Sequence, residues 1–376
     1  MTVTDPNGNT ITKVSDVAGK IRRVTDPSTN GTVAGPTNYT FDPFGNLITI
    51  VDADNTQSTY LYNIRGFKTA SGDADAGSWT FTPDSLNELV SQTDAKSQIT
   101  SFGYDLLGRM TSRTEPESTT PTQWVYGTSQ TAHNIGRIVT VSKPDGYGEG
   151  YTYDSAGRPQ TVTYTEDGAN YPFTYAYNNQ GTIDTLTYPV STSGYQFVLK
   201  SVYDAYGFLN QVKDNAAGTV FWALNSANDA SLPTLETLGN TVQVATSYTP
   251  WTNETSTRTE GSGGSTTNLQ NLTYNWDLAG NLHQRVDNRQ SLTEQFGYDS
   301  MNRLLSSTLN GGNNLTLTYD AAGNIASKSD VGGSAYIYDT GHPHAVKTAG
   351  SWSMTYDADG NMITRGGGSI SYYSYN

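Results

Sequence analysis

The sequence predicts an all-β repeat protein built from antiparallel β-hairpins, and three observations carry that reading. An aromatic residue followed by Asp or Asn, with Gly or Asn three residues further on, recurs every 18 to 26 residues or at multiples of that spacing. In most units a second acidic residue follows ten residues after the first, as Asp52 follows Asp42 and Asp94 follows Asp84. Between the two lie runs such as Leu47-Ile48-Thr49-Ile50-Val51 and Arg137-Ile138-Val139-Thr140-Val141, β-branched and of ordinary strand length. Self-similarity at this period marks a scaffold in which one small supersecondary unit is stacked many times.

The first turn of each unit is specified by residue type. Asp42 is followed by Gly45, Asn63 by Gly66, Asp105 by Gly108, Asp154 by Gly157, Asn178 by Gly181 and Asp204 by Gly207. The pattern resumes with Asp277 and Gly280, Asp299 and Asn302, Asp320 and Gly323, and Asp357 and Gly360, while Asp339 has Gly341 one place early. Midway between Asn63 and Asp105, Asp84 with Asn87 supplies the unit that the doubled spacing leaves out. Gly and Asn enter the left-handed backbone region most cheaply, so a positive φ is expected at that position. Asp suits the turn start because its carboxylate accepts from the backbone two residues on.

The strands entering these turns alternate. Tyr171, Phe173, Tyr175 and Tyr177 share a face, as do Leu272, Tyr274 and Trp276. Period two means a sheet with one aromatic-rich face. The expected aromatic ladder consists of Tyr62, Tyr104, Tyr153, Tyr177, Tyr203, Trp276, Tyr298, Tyr319, Tyr338 and Tyr356. No amphipathic helix is present to cover that face, so the sheet must curl on itself or pack on another sheet.

The repeat spreads over all 376 residues, which favours one array, 1–376, over two domains. It fades over 216–266, an irregular stretch that includes a Gly/Ser loop at 261–265 and offers the alternative of a domain boundary. Repeat-like sequence starts at Asp16 and the run 371–376 is strand-like without a capping pattern, so the chain reads as the inside of a longer protein. Only 35% of residues are hydrophobic, but 26 Tyr add large rings with a polar tip.

Composition also restricts function. A net charge of −14, from 21 basic and 35 acidic residues, comes largely from turn acids and argues against nucleic-acid binding. With no Cys there is neither disulfide nor thiol nucleophile, and no run approaches the length of a membrane span or a signal peptide. Carboxylates ten residues apart would suit acid–base catalysis only as one pair in contrasting environments, and here the pair is repeated. The cluster Asp357-Ala358-Asp359-Gly360-Asn361 lacks the spacing and terminal Glu of a calcium loop. His342 and His344 around Pro343 are two ligands at most, and read as a structural corner. No catalytic, cofactor or metal residues are assigned.

The signature Tyr-Asp-x-x-Gly-Arg/Asn, as in Tyr104-Asp105-Leu106-Leu107-Gly108-Arg109 and Tyr319-Asp320-Ala321-Ala322-Gly323-Asn324, resembles the YD repeats of RHS proteins. These include bacterial polymorphic toxins, shell components of insecticidal Tc toxins and animal teneurins. Eleven aromatic-Asp/Asn pairs in period, together with Gly341-His342-Pro343-His344-Ala345-Val346 near the end, carry the resemblance over essentially the whole chain. It implies hairpins wound as a spiral sheet into a partial hollow shell around a C-terminal toxin or effector cargo. It also implies a secreted or cell-surface location within a longer protein, with other shell segments as partners. The role so implied is structural and non-enzymatic. Two alternatives stand beside it: a cell-surface adhesion or carbohydrate-binding module using the aromatics, and the shell portion of an autoproteolytic toxin precursor.

Overall fold

The computed structural model describes residues 1–27, 35–331 and 336–372. Among them there are 34 strands and no helix. Twenty-nine strands, from Thr2–Thr4 to Ile325–Lys328, form one sheet, and five more, from Ile337–Tyr338 to Gly368–Ser369, form a second. The second continues the first, because the Tyr336 amide donates to the Ala326 carbonyl at 3.0 Å. Of the strand-like end 371–376, residues 371 and 372 are not in a strand and 373–376 lie outside the described residues.

Strands pair antiparallel with their neighbours in chain order. Ile99–Tyr104, for example, lies between Leu89–Thr93 and Met110–Thr114. Connections of this kind place successive turns on alternate edges of a long ribbon. One edge, the signature edge, carries the aromatic-Asp turns, and the opposite edge carries the second turns. Through 216–266 the hairpins continue, with strands Val220–Ala227, Pro233–Leu238, Gln243–Tyr248 and Thr255–Gly261 paired in order. The turn chemistry is what changes there: Asn228 starts one turn with Ser231 at φ 62°, and Thr249 starts another with Asn253 at φ 56°.

The signature turn is a hairpin loop with a bulge. The Gly108 amide donates to the Asp105 carbonyl at 3.0 Å, and the Asp105 amide donates to the Arg109 carbonyl at 3.0 Å. The register then slips, so that Gly103 faces Ser112 whereas Tyr104 faces Met110. The same slip precedes Phe41, Tyr62, Tyr153, Tyr298 and Tyr319. A type I turn closed by a left-handed residue produces this bulge and increases the local twist, which curls the ribbon.

The ribbon is one layer thick. Every extensive strand contact is between consecutive strands. Among the described residues buried apolar side chains are few, Val141, Val162, Val244 and Leu317 being examples, and no large side chain is fully buried. The sheet therefore curls and does not pack on a second sheet. It is not closed by strand pairing; instead, after one winding, turns near the C-terminal end come back against turns near the N-terminal end.

Candidate functional site

The repeated turn is the first element of the site. Gly45, Gly66, Gly108, Gly157, Gly207, Gly280, Gly323 and Gly360 have φ between 72° and 95°, and Asn87 and Asn302 have φ of 72° and 61°. In each case the turn-start side chain faces its own backbone. One Asp105 oxygen accepts from the amides of Leu107 and Arg109 at 2.9 and 3.1 Å, and Asp84, Asp154, Asp204, Asp277, Asp299 and Asp357 repeat this pair. Asp42 and Asp320 accept from the amides of Asn46 and Asn324.

The second carboxylate oxygen binds the residue after the left-handed Gly or Asn. Arg109, Arg158 and Arg303 donate from Nε to Asp105, Asp154 and Asp299 at 2.7 to 2.8 Å, while Asn46 and Asn281 donate to Asp42 and Asp277. The Arg109 and Arg158 hydrogen bonds hold Asp105 and Asp154 below the usual carboxylate range, and the Asn46 side chain does the same for Asp42.

The same Arg reaches the next unit. The guanidiniums of Arg109, Arg158 and Arg303 lie 4.1, 4.1 and 4.3 Å from the ring centres of Tyr126, Tyr177 and Tyr319. Each of those rings has its hydroxyl on the carbonyl directly after the Arg: Tyr126 on Met110 at 3.1 Å, Tyr177 on Pro159 at 2.8 Å and Tyr319 on Leu304 at 2.9 Å. Tyr104, Tyr153, Tyr203, Tyr298, Tyr338 and Tyr356 make the equivalent bond to Leu89, Ile138, Ile183, Leu282, Ile325 and Val346, and Trp276 makes it through Nε1 to Thr255. All of these rings except Tyr126 belong to the aromatic ladder expected from the sequence, which did not include this hydrogen-bonded link. Its signal was the choice of Tyr over Phe and of Arg or Asn after the Gly.

A contiguous run of ring-to-ring contacts lies in the middle of the chain. Tyr164, Phe173, Tyr188, Phe197 and Phe221 follow one another at centroid distances of 5.7, 5.4, 5.3 and 5.8 Å. Beside it, Glu149 accepts from the hydroxyls of Tyr147 and Tyr151, and that hydrogen bond, with burial, pushes the Tyr147 phenol up to about 12.

The second element is the seam where the windings meet. Opposite-edge turns of the first winding lie against signature-edge turns of the second. Asn7 donates to Asp277 at 3.0 Å. The Ala95 amide donates to Asp359 at 2.9 Å, and Lys96 lies 3.0 Å from both Asp357 and Asp359. His344 stands between Asp75, at 2.5 Å from Nδ1, and Asp52, at 3.2 Å from Nε2, and its amide donates to Asp75 at 2.9 Å. The turn with the early Gly explains its reach: the Asp339 amide closes onto Ala345, a wider loop than its neighbours, and His344 lies in the enlarged part. His342 takes no part in the seam: it lies 3.4 Å from Asp339 in its own turn and against the Tyr356 ring of the next unit.

No group of three or more His, Asp, Glu or Cys side chains among the described residues is arranged to hold a metal ion. No helix of the described residues is long and apolar enough to cross a membrane.

These units have a known counterpart. The RHS Repeat family model matches residues 84–120 and 298–335, which contain the turns at Asp84, Asp105, Asp299 and Asp320. Those two segments match RHS repeats. Its fold is shared with the crystal structure of TcdB2-TccC3-Cdc42 at a TM-score of 0.76 and 18% identity, over 95% of this chain and 22% of that one. It is likewise shared with the crystal structure of TcdB2-TccC3 at a TM-score of 0.75 and 18% identity, over 95% and 22% of the two chains. The Tc holotoxin pore of Photorhabdus luminescens matches at a TM-score of 0.73 and 17% identity, over 95% and 21%. The chain thus spans about a fifth of the length of these structures. No curated protein sequence matches it significantly.

Proposed function

We propose that this RHS chain is a single-array length of shell wall in a secreted toxin- or effector-bearing protein, and that its work is containment of a C-terminal cargo without chemistry of its own. The observation that carries this reading is the seam. A one-layer ribbon whose two edges recognise each other after one winding is built to enclose space, and the turn Asp and Gly residues with the linking Tyr residues hold its curvature. Tc toxin structures of the same fold supply the analogy for the cargo. The adhesion reading gains little here, because the signature rings are occupied by their own hydroxyl bonds and by stacked Arg side chains.

The test is protection of the cargo. The full-length product of the source gene, tagged at its C-terminus, is treated with a broad protease before and after the shell is unfolded. Containment requires the C-terminal part to survive until unfolding. Digestion of that part in the intact protein, at the rate of the isolated part, would sink the reading.

A further inference from the structure

Along the signature edge, the space over a ring is filled by a side chain from the unit before. A Cβ placed on Gly181 or Gly323 would meet Nη1 of Arg158 or Arg303 at 3.5 or 3.4 Å, because each guanidinium runs over the ring of Tyr177 or Tyr319 to the turn that follows it. Other side chains at the same position do likewise, Asn46 lying nearest to Gly66 and Glu254 nearest to Gly280. At Gly207 nothing lies within 4 Å. The residue in the filling position there is Thr182, too short to cover the Tyr203 ring, and a cavity of about 430 Å³ opens between the turns of Asn178 and Asp204. The Tyr203 hydroxyl still donates to the Ile183 carbonyl at 2.8 Å, so the ring is held as its counterparts are.

The cavity also holds an acceptor. One Asp204 oxygen takes the amides of Tyr206 and Phe208 at 2.9 and 3.0 Å, the pair its counterparts make. In the turns of Asp105, Asp154 and Asp299 the other oxygen binds the Arg that follows the left-handed residue, but in this turn that residue is Phe208, whose side chain has no donor. Lys200, the basic residue of the lining, is bound to Asp184, so among the described residues Asp204 is the lining carboxylate left without a cation. An open aromatic face beside such a carboxylate selects a planar cation, which stacks on the ring while its N–H groups fork onto the oxygens.

We propose that this cavity is a binding site for the guanidinium group of an arginine brought from outside the chain. The chain supplies the template, since Arg158 and Arg303 fill the equivalent space one unit earlier and five units later in the same array. A lysine ammonium fits less well, having no plane to stack and no fork to offer the carboxylate. The net charge of −14 draws a cationic ligand toward the surface. The inference does not rest on the containment reading, because the cavity lies at the signature edge and is formed by two neighbouring units alone.

The measurement is an NMR titration of the whole isotope-labelled chain with the blocked tripeptide acetyl-Gly-Arg-Gly-amide, read at the Gly207 amide. The expected result is a saturable shift at about millimolar peptide, with the lysine tripeptide roughly tenfold weaker. The double variant Asn178→Asp, Thr182→Arg rebuilds the turn of Asp154 and fills the cavity with a tethered guanidinium. It is expected to melt no lower than the wild type and to lose the peptide-induced shift. Asp204→Asn removes the charge but keeps a turn start that the chain uses at Asn63 and Asn178, and is expected to weaken binding severalfold. Free arginine in a parallel arm separates the sources: a polypeptide partner requires the tripeptide to bind at least as tightly, and tighter binding of the amino acid assigns the site to that. No saturable shift with either ligand overturns the proposal. So does a double variant that responds like the wild type, or a lysine tripeptide that binds as well as the arginine one.

Discussion

The Tyr319 hydroxyl donates to the Leu304 carbonyl at 2.9 Å, tying the strand that enters one turn to the strand that leaves the turn before it. Arg303 stacks on the same ring and holds Asp299, so one tyrosine joins two consecutive turns. Tyr319→Phe keeps the ring and removes the bond, leaving a half-buried carbonyl short of a donor. A local loss of about 1 kcal/mol is expected. Hydrogen exchange of the amides in 304–325 reads it, because an array of this kind opens unit by unit. Unchanged protection in that segment would mean the hydroxyl contributes nothing.

Gly323 has φ 95° and an added Cβ would meet only the tip of Arg303 at 3.4 Å, so the penalty for a side chain there is backbone strain and not collision. Gly323→Val is expected to cost at least about 1–2 kcal/mol, and Gly323→Asn clearly less. Asn302, at φ 61° in the preceding unit, shows that Asn can serve in this position. Equal urea midpoints for the Val and Asn variants would refute the strain argument.

Asp299 and Asp105 occupy the same place in different units, yet the Asp299 side chain is 0% exposed and that of Asp105 is 24% exposed. Removing Asp299 leaves Arg303 and the amides of Met301 and Arg303 without their acceptor in a closed site. Asp299→Ala is expected to cost about 3 kcal/mol. Asp105→Ala, where water replaces the carboxylate, should cost about 1 kcal/mol. Thermal or urea unfolding of the two variants side by side gives the order, and a reversed order would show that burial does not set the effect.

What was legible in the sequence is local. The left-handed position and the self-capping Asp follow from the chemistry of a few adjacent residues, so Asp105 and Gly108 announce their turn without reference to anything distant. The Tyr link spans about one unit and left only a preference for Tyr over Phe as its trace. The seam left less. Lys96 and Asp357 are separated by 261 residues, and nothing near either residue says that one winding brings them together. That distance is set by the accumulated twist of some two dozen strands, which no short pattern encodes. The wide loop that carries His344 was visible only as a misplaced Gly.

His344 gives the seam a pH dependence whose sign can be stated. Burial lowers its pKa, but the hydrogen bonds and charges of Asp75 and Asp52 outweigh that, and the imidazole is raised above its ordinary value. Asp54 and Asp73 are close enough to feel its charge, and theirs acts on it in the same direction. Both ring nitrogens point at carboxylates, so the doubly protonated form is the one the site fits. A group whose pKa is raised on folding contributes stability that is complete below its unfolded value, about 6.5 for His. That contribution is lost as pH rises through the higher folded value, when neutral imidazole leaves the aspartates facing one another. The wild-type chain should therefore melt higher near pH 6 than in mildly alkaline buffer, with His344→Asn flattening the difference. Lys96 is raised and Asp357 lowered from their ordinary values, burial opposing both shifts and their mutual hydrogen bond driving them, so this ion pair should hold its part of the seam over that range, and exchange is expected to rise first around 52–56 and 73–77 and later around 94–98. If the two parts of the seam loosen together, or if His344→Asn leaves the pH profile unchanged, the histidine does not control it.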